Sequence, residues 1–167
     1  VFCQHSATKG DYTQLFFVTD SIPALNADAS LTSHPLVRIL VNSPASIPYI
    51  SAITYQKGSS ILRMFEFVFG TDPFFNSIAN YLNENQYTSV PSSVILDAFS
   101  TIPVDKLNST QFVYDWTTQA GFPYINLTYA NNGKTNSYVA TQERFLSTGR
   151  ITNNTYVFLI LMNFFNS

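Results

Sequence analysis

The sequence is short of charged side chains. Asp, Glu, Lys and Arg make up 11% of its 167 residues, against a usual share of about 25%. Hydrophobic residues reach 46% and aromatic residues 16%. A globule with so little charge exposes apolar patches unless neighbouring segments cover them. The composition therefore favours a piece of a larger protein, and we expect the isolated chain to be poorly soluble.

The few basic residues do not cluster. The formal net charge is −2, and Lys and Arg are scattered along the chain. Proteins that bind nucleic acid usually carry a basic patch or stripe on one face. The charge pattern therefore excludes nucleic acid as a partner.

Long apolar runs and a leader segment are also missing. The longest apolar run, Tyr156 to Met162, is far shorter than the roughly 20 residues that span a bilayer. We predict no membrane span in this chain. It begins at Val1, without Met and without a charged-then-apolar signal segment, and we interpret this start as truncation in preference to processing.

Cysteine is nearly absent, since Cys3 is alone and excludes an internal disulfide framework. Sequons carry the information on location instead. Asn108, Asn126 and Asn153 each begin an Asn-x-Ser/Thr sequon, which accepts a glycan in proteins that enter the secretory route. Sequons also arise by chance in a sequence rich in Asn, Ser and Thr. We expect glycosylation at these three asparagines and a cell-surface or secretory location, facing outside the plasma membrane.

Self-sufficient catalytic signatures are missing as well. The sequence has no His-Glu-x-x-His, no Gly-x-Ser-x-Gly, no phosphate-binding glycine loop and no Cys-x-x-Cys. His5 lies near Cys3 without a third ligand, which favours ordinary terminal residues over a metal site. His34 is isolated before Pro35, and a structural role in tying down a loop is favoured over metal ligation. We predict no metal site within this chain.

Helical periodicity dominates the first 120 residues. Residues 12–19 are spaced as a helix, and we predict an ordered loop over 21–48, where the period is lost and prolines gather. A buried helix should run from Tyr55, with Thr54 as N-cap, to Gly70. Three more helices are predicted, one capped by Asp72 with Pro73 in its first turn, one after Pro91, and one over 109–120 ended by Gly121 and Pro123.

The period changes from helical to two after Pro123. Residues 124–129 alternate as a strand, Asn132-Gly133 favours a hairpin turn, and residues 138–142 can return as the partner strand. Residues 156–161 are a third, more buried strand candidate. We predict an α+β chain with a helical part over residues 1–120 and the start of a β domain over residues 121–167.

Four short motifs follow one another in order. They are residues 31–36 (LTSHPL), 53–64 (ITYQKGSSILRM), 114–123 (YDWTTQAGFP) and 142–146 (QERFL). Together they resemble the aminopeptidase N family of zinc metallopeptidases, in which an Ile-Ser-Tyr-x-Lys-Gly segment opens a buried helix. Thr54 stands here in place of the usual Ser.

The resemblance implies a fold and an activity. The fold would be the final helices of a thermolysin-like catalytic domain, followed by the start of a β-sandwich. The parent would be a large ectopeptidase that releases N-terminal residues from peptides, with one zinc held by His-Glu-x-x-His and a downstream Glu, none of them in this chain. Its partners would be peptide substrates and the parent's remaining domains, and the family also allows a homodimer.

The resemblance also assigns roles to residues. Tyr55 would donate a hydrogen bond to the oxyanion that develops on the attacked carbonyl. Lys57 and Gly58 would serve helix entry and close packing, and Trp116 and Phe122 would fill core space near the domain junction. The chain alone, without the zinc ligands, should not hydrolyse peptides.

An alternative from another class stays open. Residues 50–52 (ISA) stand where the family often has Phe-Asp, which removes a carboxylate before the Tyr55 motif. Together with the sequons, this change allows a non-catalytic cell-surface glycoprotein that descends from the peptidase and acts as an interaction module.

Overall fold

A computed structural model of the chain describes residues 15–37, 51–131, 136–149 and 157–162. The helices are α1 (Ile22–Asp28), α2 (Gly58–Phe69), α3 (Thr71–Glu84), α4 (Ser92–Ser100) and α5 (Ser109–Thr118), followed by strands β1 (Pro123–Asn131) and β2 (Asn136–Arg144). Two π-helical segments, Phe17–Ser21 and Ile53–Lys57, lead into α1 and α2. The predicted α+β class is confirmed.

The loop predicted over residues 21–48 is wrong where α1 forms. Pro23 lies in the first turn of α1, where the missing N–H costs nothing and the fixed φ suits a helix. The sequence prediction places this proline in a loop, whereas it marks the start of a helix. Ala24 and Asp28 of α1 are buried. The second half of the predicted loop, residues 38–48, lies outside the described residues.

The predicted caps of α2 and α3 are also wrong. Thr54 lies inside the π-helical segment Ile53–Lys57, and its backbone N–H donates to the Ser51 hydroxyl at 3.4 Å. Gly70 ends α2 with φ +86° as predicted, but α3 begins directly after it, so Asp72 falls within the first turn. An acidic residue is favourable there because the N-terminal turn carries partial positive charge.

The core lies where α2, α3, α4 and α5 meet. Phe65 of α2 is 1% exposed, and its ring lies 5.7 Å from that of Phe99 of α4 and 5.5 Å from that of Phe112 of α5. Phe74 of α3 stacks on Phe99 at 5.2 Å. By contrast, Phe67 of α2 is 82% exposed. The predicted helices after Pro91 and over 109–120 are confirmed, the latter ending at Thr118.

The two strands pair antiparallel, from Pro123 opposite Arg144 to Asn131 opposite Asn136. This confirms the predicted hairpin, and both strands are longer than expected. The Asn132-Gly133 turn lies outside the described residues. The domain division at residue 121 stays a prediction.

The third strand candidate is wrong over residues 157–161. Residues 157–162, which we call the return segment, form no strand. Side chains of α5 and β2, instead of a neighbouring strand, bind its backbone, as described below. Periodicity alone does not show whether the backbone groups of an apolar segment bond to a neighbouring strand or to side chains.

Candidate functional site

Tyr55 is the third residue of the π-helical segment Ile53–Lys57, which we call the Tyr55 segment. The backbone N–H groups of Gln56 and Lys57 both donate to the Ala52 carbonyl, at 3.0 and 2.9 Å. A single such π turn often marks a functional site. Ile53 and Lys57 at its two ends are buried, whereas Tyr55 is 58% exposed. The segment is therefore anchored at both ends and presents the phenol between them.

The Tyr55 side chain borders a cleft of about 440 Å³. The cleft lies among Leu36 and Val37, the Tyr55 segment, α2 and α4. The Val37 N–H donates to the Thr117 carbonyl of α5 at 2.9 Å, which fixes this side of the cleft. Tyr55 therefore stands beside a concave surface with a mainly apolar lining.

The Ser-His-Pro loop lies directly after α1. The Ser33 hydroxyl donates to Asp28 Oδ1, and His34 Nδ1 lies 2.8 Å from the Pro35 carbonyl oxygen. His34 thus has a local contact with its own loop, as expected of a structural histidine. Cys3 and His5 lie outside the described residues. Within the described ranges, no three His, Cys, Asp or Glu side chains are grouped so that they could hold a metal ion.

A buried ion pair lies beneath the Tyr55 segment. Lys57 Nζ is 2.7 Å from Asp28 Oδ2, and the two side chains are only 6% and 3% exposed. Burial lowers the pKa of Lys57, and the attraction of Asp28 opposes this effect. The family resemblance implies helix entry and close packing for Lys57, and the sequence alone does not single out Asp28.

Gly121 lies between this ion pair and Arg144. Its N–H donates to Asp28 Oδ1 at 2.9 Å, and its carbonyl accepts from Lys57 Nζ at 3.2 Å. Its φ is +86°, and a Cβ at this position would meet the Arg144 side chain, with Cγ and Cδ both at 2.9 Å. Arg144 in turn donates to the Ser30 carbonyl at 2.9 Å. This glycine is required for both backbone conformation and space.

The other motif residues hold the return segment. Gln119 exchanges two hydrogen bonds with the backbone of Val157, at 2.7 and 3.2 Å, and Gln142 does the same with Phe158, at 3.1 and 3.0 Å. The Trp116 indole donates to the Leu159 carbonyl at 3.0 Å. The predicted core role of Trp116 is thus accompanied by a polar one.

Phe122, the second predicted core filler, packs beside β2. Its ring stacks on that of Phe145 with a centroid distance of 5.1 Å. The ring is only partly buried. This contact ties the residue that precedes β1 to the residue that follows β2.

Two of the three predicted glycan acceptors are exposed. Asn108 caps α5, since its Oδ1 accepts from the Gln111 N–H at 3.0 Å. That bond uses the amide oxygen and not the nitrogen to which a glycan attaches. Asn126 lies exposed on β1. Asn153 lies outside the described residues.

Comparison with known proteins gives a consistent result. The model of the peptidase family M1 domain matches residues 1–116. An alanine/arginine aminopeptidase of Saccharomyces cerevisiae is 34% identical over 81% of this chain, and a glutamyl aminopeptidase of Homo sapiens is 32% identical over 85%. A membrane alanyl aminopeptidase of Heliothis virescens is 32% identical over 84%.

The matched part is a small share of each relative. The chain spans 15% of the yeast protein, 14% of the human protein and 15% of the insect protein. A further relative from yeast is named as mitochondrial. In the part of the chain that the structure describes, no helix has the length and apolar character needed to cross a membrane.

Proposed function

The chain belongs to peptidase family M1, and from this membership we propose that its parent protein is an aminopeptidase that releases N-terminal residues from peptides. Tyr55 is the residue of this chain that takes part in the reaction. The observation that carries this proposal is the placement of an exposed phenol beside a cleft, on a segment anchored at both ends by buried residues. The aminopeptidase names of the relatives support the same reaction class.

The chemical role of Tyr55 is to donate a hydrogen bond to an oxyanion. When a peptide carbonyl is attacked, negative charge develops on its oxygen, and a fixed neutral donor stabilises that charge more than it stabilises the ground state. Loss of one such donor costs roughly 10²–10³ in turnover. The anchored Tyr55 segment supports this role because a donor acts well only when its position is fixed before the reaction.

The remaining parts of the site lie outside this chain. The zinc that the family resemblance implies does not fit the described residues, which present no suitable ligand group. Its ligands belong to the parent's other segments, and the chain alone is inactive. The proposed partners of the parent are peptide substrates, its own further domains and, as the family resemblance allows, a second copy of the parent.

The test is Tyr55→Phe in the full-length parent, assayed on aminoacyl-anilide substrates. We expect kcat to fall roughly 10²- to 10³-fold with little change in KM, because the hydroxyl acts on charge that appears only in the transition state. Tyr87→Phe is the matched control, because Tyr87 is fully exposed after α3. Equal turnover in Tyr55→Phe and the control would remove Tyr55 from the reaction.

We also propose a cell-surface or secretory location, with glycans on Asn108, Asn126 and Asn153. The exposure of the first two supports modification, and the name of the insect relative supports a membrane protein. The parent, isolated from its native cells, should lose mass on treatment with an N-glycosidase. Peptides that carry unmodified Asn108 and Asn126 would contradict this location.

A non-catalytic interaction module is the second candidate. The substitution of ISA for the usual residues before the Tyr55 segment favours it, because the carboxylate at that position is lost. The full-length sequence decides between the two. A His-Glu-x-x-His motif upstream of Val1 supports the enzyme, and an intact reading frame without that motif supports the module.

A further inference from the structure

Lys57, which forms the buried pair with Asp28, lies two residues along the chain from the proposed oxyanion donor. We propose that Asp28 and Lys57 are positioning residues for Tyr55, which lock the Tyr55 segment to the start of the hairpin and so fix where the phenol points. This proposal rests on the proposed function of Tyr55. Neither residue needs to touch the substrate.

The ammonium of Lys57 is held from three directions. Nζ pairs with Asp28 Oδ2 at 2.7 Å and donates to the carbonyls of Gln119 and Gly121 at 3.3 and 3.2 Å. An ammonium has three donors, so these partners use all of them. The contacts come from α1 and from the backbone between α5 and β1. Lys57 therefore connects the end of the Tyr55 segment to two separate parts of the fold.

The carboxylate of Asp28 is equally engaged. Besides Lys57, it accepts from the Ser33 hydroxyl and from the Gly121 N–H at 2.9 Å. The Ser-His-Pro loop, the hairpin start and the Tyr55 segment thus meet at one carboxylate. A shift of any of these three segments would break at least one bond to a buried charge, which is costly.

Stability alone does not explain a buried ion pair at this position. The cost of removing two charges from water often exceeds their attraction, and a matched apolar pair is frequently neutral or more stable. What an apolar pair does not provide is direction, because hydrophobic contacts have no fixed geometry. The bonds to Gly121 and Gln119 have such geometry, and they fix the end of the Tyr55 segment.

The backbone connects the pair to the phenol. Lys57 points inward and is 5% exposed, whereas Tyr55, two residues earlier in the same π turn, is 58% exposed. The Lys57 N–H donates to the Ala52 carbonyl at 2.9 Å, and this bond spans the residues between them. Rotation of Lys57 about the segment axis would therefore carry Tyr55 with it. Displacement of a catalytic group by about 1 Å can cost 10²-fold in rate.

The experiment is a mutant cycle in the full-length parent. The pair is neutralised in one step with Asp28→Asn plus Lys57→Met, because removal of one partner would leave an uncompensated buried charge. The neutral pair is made in the wild-type and the Tyr55→Phe backgrounds. For each protein kcat, KM and thermal stability are measured. Lys106→Met is the matched control, since Lys106 pairs with Asp105 at 3.9 Å on the surface.

Positioning and plain structural support give different results in this cycle. If the pair acts through Tyr55, its neutralisation lowers kcat about tenfold to a hundredfold with KM unchanged, and causes little further loss in the Tyr55→Phe background. If the pair is only structural, the neutral variant has normal kcat, or the loss is the same in both backgrounds. Either of those two results overturns the proposal.

The cycle also separates this proposal from the one on which it rests. Unchanged kcat in Tyr55→Phe alone removes the catalytic role of Tyr55, and the positioning proposal fails with it. A normal effect of Tyr55→Phe together with additive losses removes only the positioning role. Should the neutral double variant not fold, Ser33→Ala is carried through the same cycle and judged by the same criteria, because it removes one donor to Asp28 and leaves the ion pair intact.

Discussion

Gly121→Ala tests whether the junction between α5 and β1 is as closely packed as the structure shows. Two independent costs arise. The residue has φ +86°, which an L side chain rarely adopts, and the new methyl would lie 2.9 Å from Cγ and Cδ of Arg144. The Arg144 side chain must move, and its bond to the Ser30 carbonyl at 2.9 Å is then lost.

The expected magnitude follows from these two costs. A left-handed conformation costs a non-glycine residue roughly 1–2 kcal/mol. A lost hydrogen bond to a charged group costs about 1.5–3 kcal/mol. Together they lower the free energy of local opening by roughly 2.5–5 kcal/mol. Gly149→Ala is the matched control, because Gly149 has φ +102° with nothing within 4 Å of an added Cβ, and only the first cost applies there.

The assay is amide hydrogen exchange in the full-length protein. The backbone N–H of residue 121 is bonded to Asp28, so its exchange reports opening of this junction directly. A loss of 2.5–5 kcal/mol accelerates exchange roughly 10²- to 10⁴-fold, since 1.36 kcal/mol corresponds to a factor of ten. Adding Arg144→Ala should recover part of the loss by making room. If Gly121→Ala and Gly149→Ala accelerate amide exchange around their own positions by the same factor, the close approach of Arg144 to Gly121 is refuted.

Three further changes test other parts of the structure. Gln142→Ala removes both hydrogen bonds to the Phe158 backbone. Hydrogen exchange of the Phe158 amide, measured by mass spectrometry, should then be at least tenfold faster, and an unchanged rate would contradict the role of Gln142. Phe99→Ala should lower the free energy of unfolding in urea by about 3–5 kcal/mol, because Phe99 is buried in the core. Phe67→Ala, at the exposed phenylalanine of α2, should lower it far less. The bond from Tyr114 to Asp97 raises the pKa of Tyr114. Asp97→Asn should therefore lower that pKa in NMR titration, and wild-type protein should lose the contribution of this bond as pH rises through the raised pKa.

Local signals in the sequence predicted those elements that local physics specifies. Alternation of side chains predicted β1 and β2, and Pro91 and Gly70 marked the start of α4 and the end of α2. For these elements the determining residues are neighbours along the chain, so that a pattern of a few residues is sufficient. The role of Tyr55 is different, because only the family resemblance implies it and no local pattern does.

The features that the sequence did not predict depend on distant partners. The burial of Asp28 and Lys57 is evident only when α1 and the Tyr55 segment are packed together. The π turn changes no periodicity that a short window could detect. The return segment has the composition of a strand, but Gln142 binds its backbone in place of a neighbouring strand. A polar side chain that hydrogen-bonds to a backbone segment far along the chain produces no local pattern in the sequence.

The hydrogen bond between α5 and the return segment has a consequence for biosynthesis. The partner of the Trp116 indole lies 43 residues further along the chain, and translation adds about 5–20 residues per second. For roughly 2–9 seconds after Trp116 is made, its indole N–H and one side of α5 have no permanent cover. A nascent chain in this state exposes an apolar helix face next to unsatisfied polar groups, which is the kind of surface that chaperones bind. Completion of this helical unit thus waits for sequence that follows the hairpin.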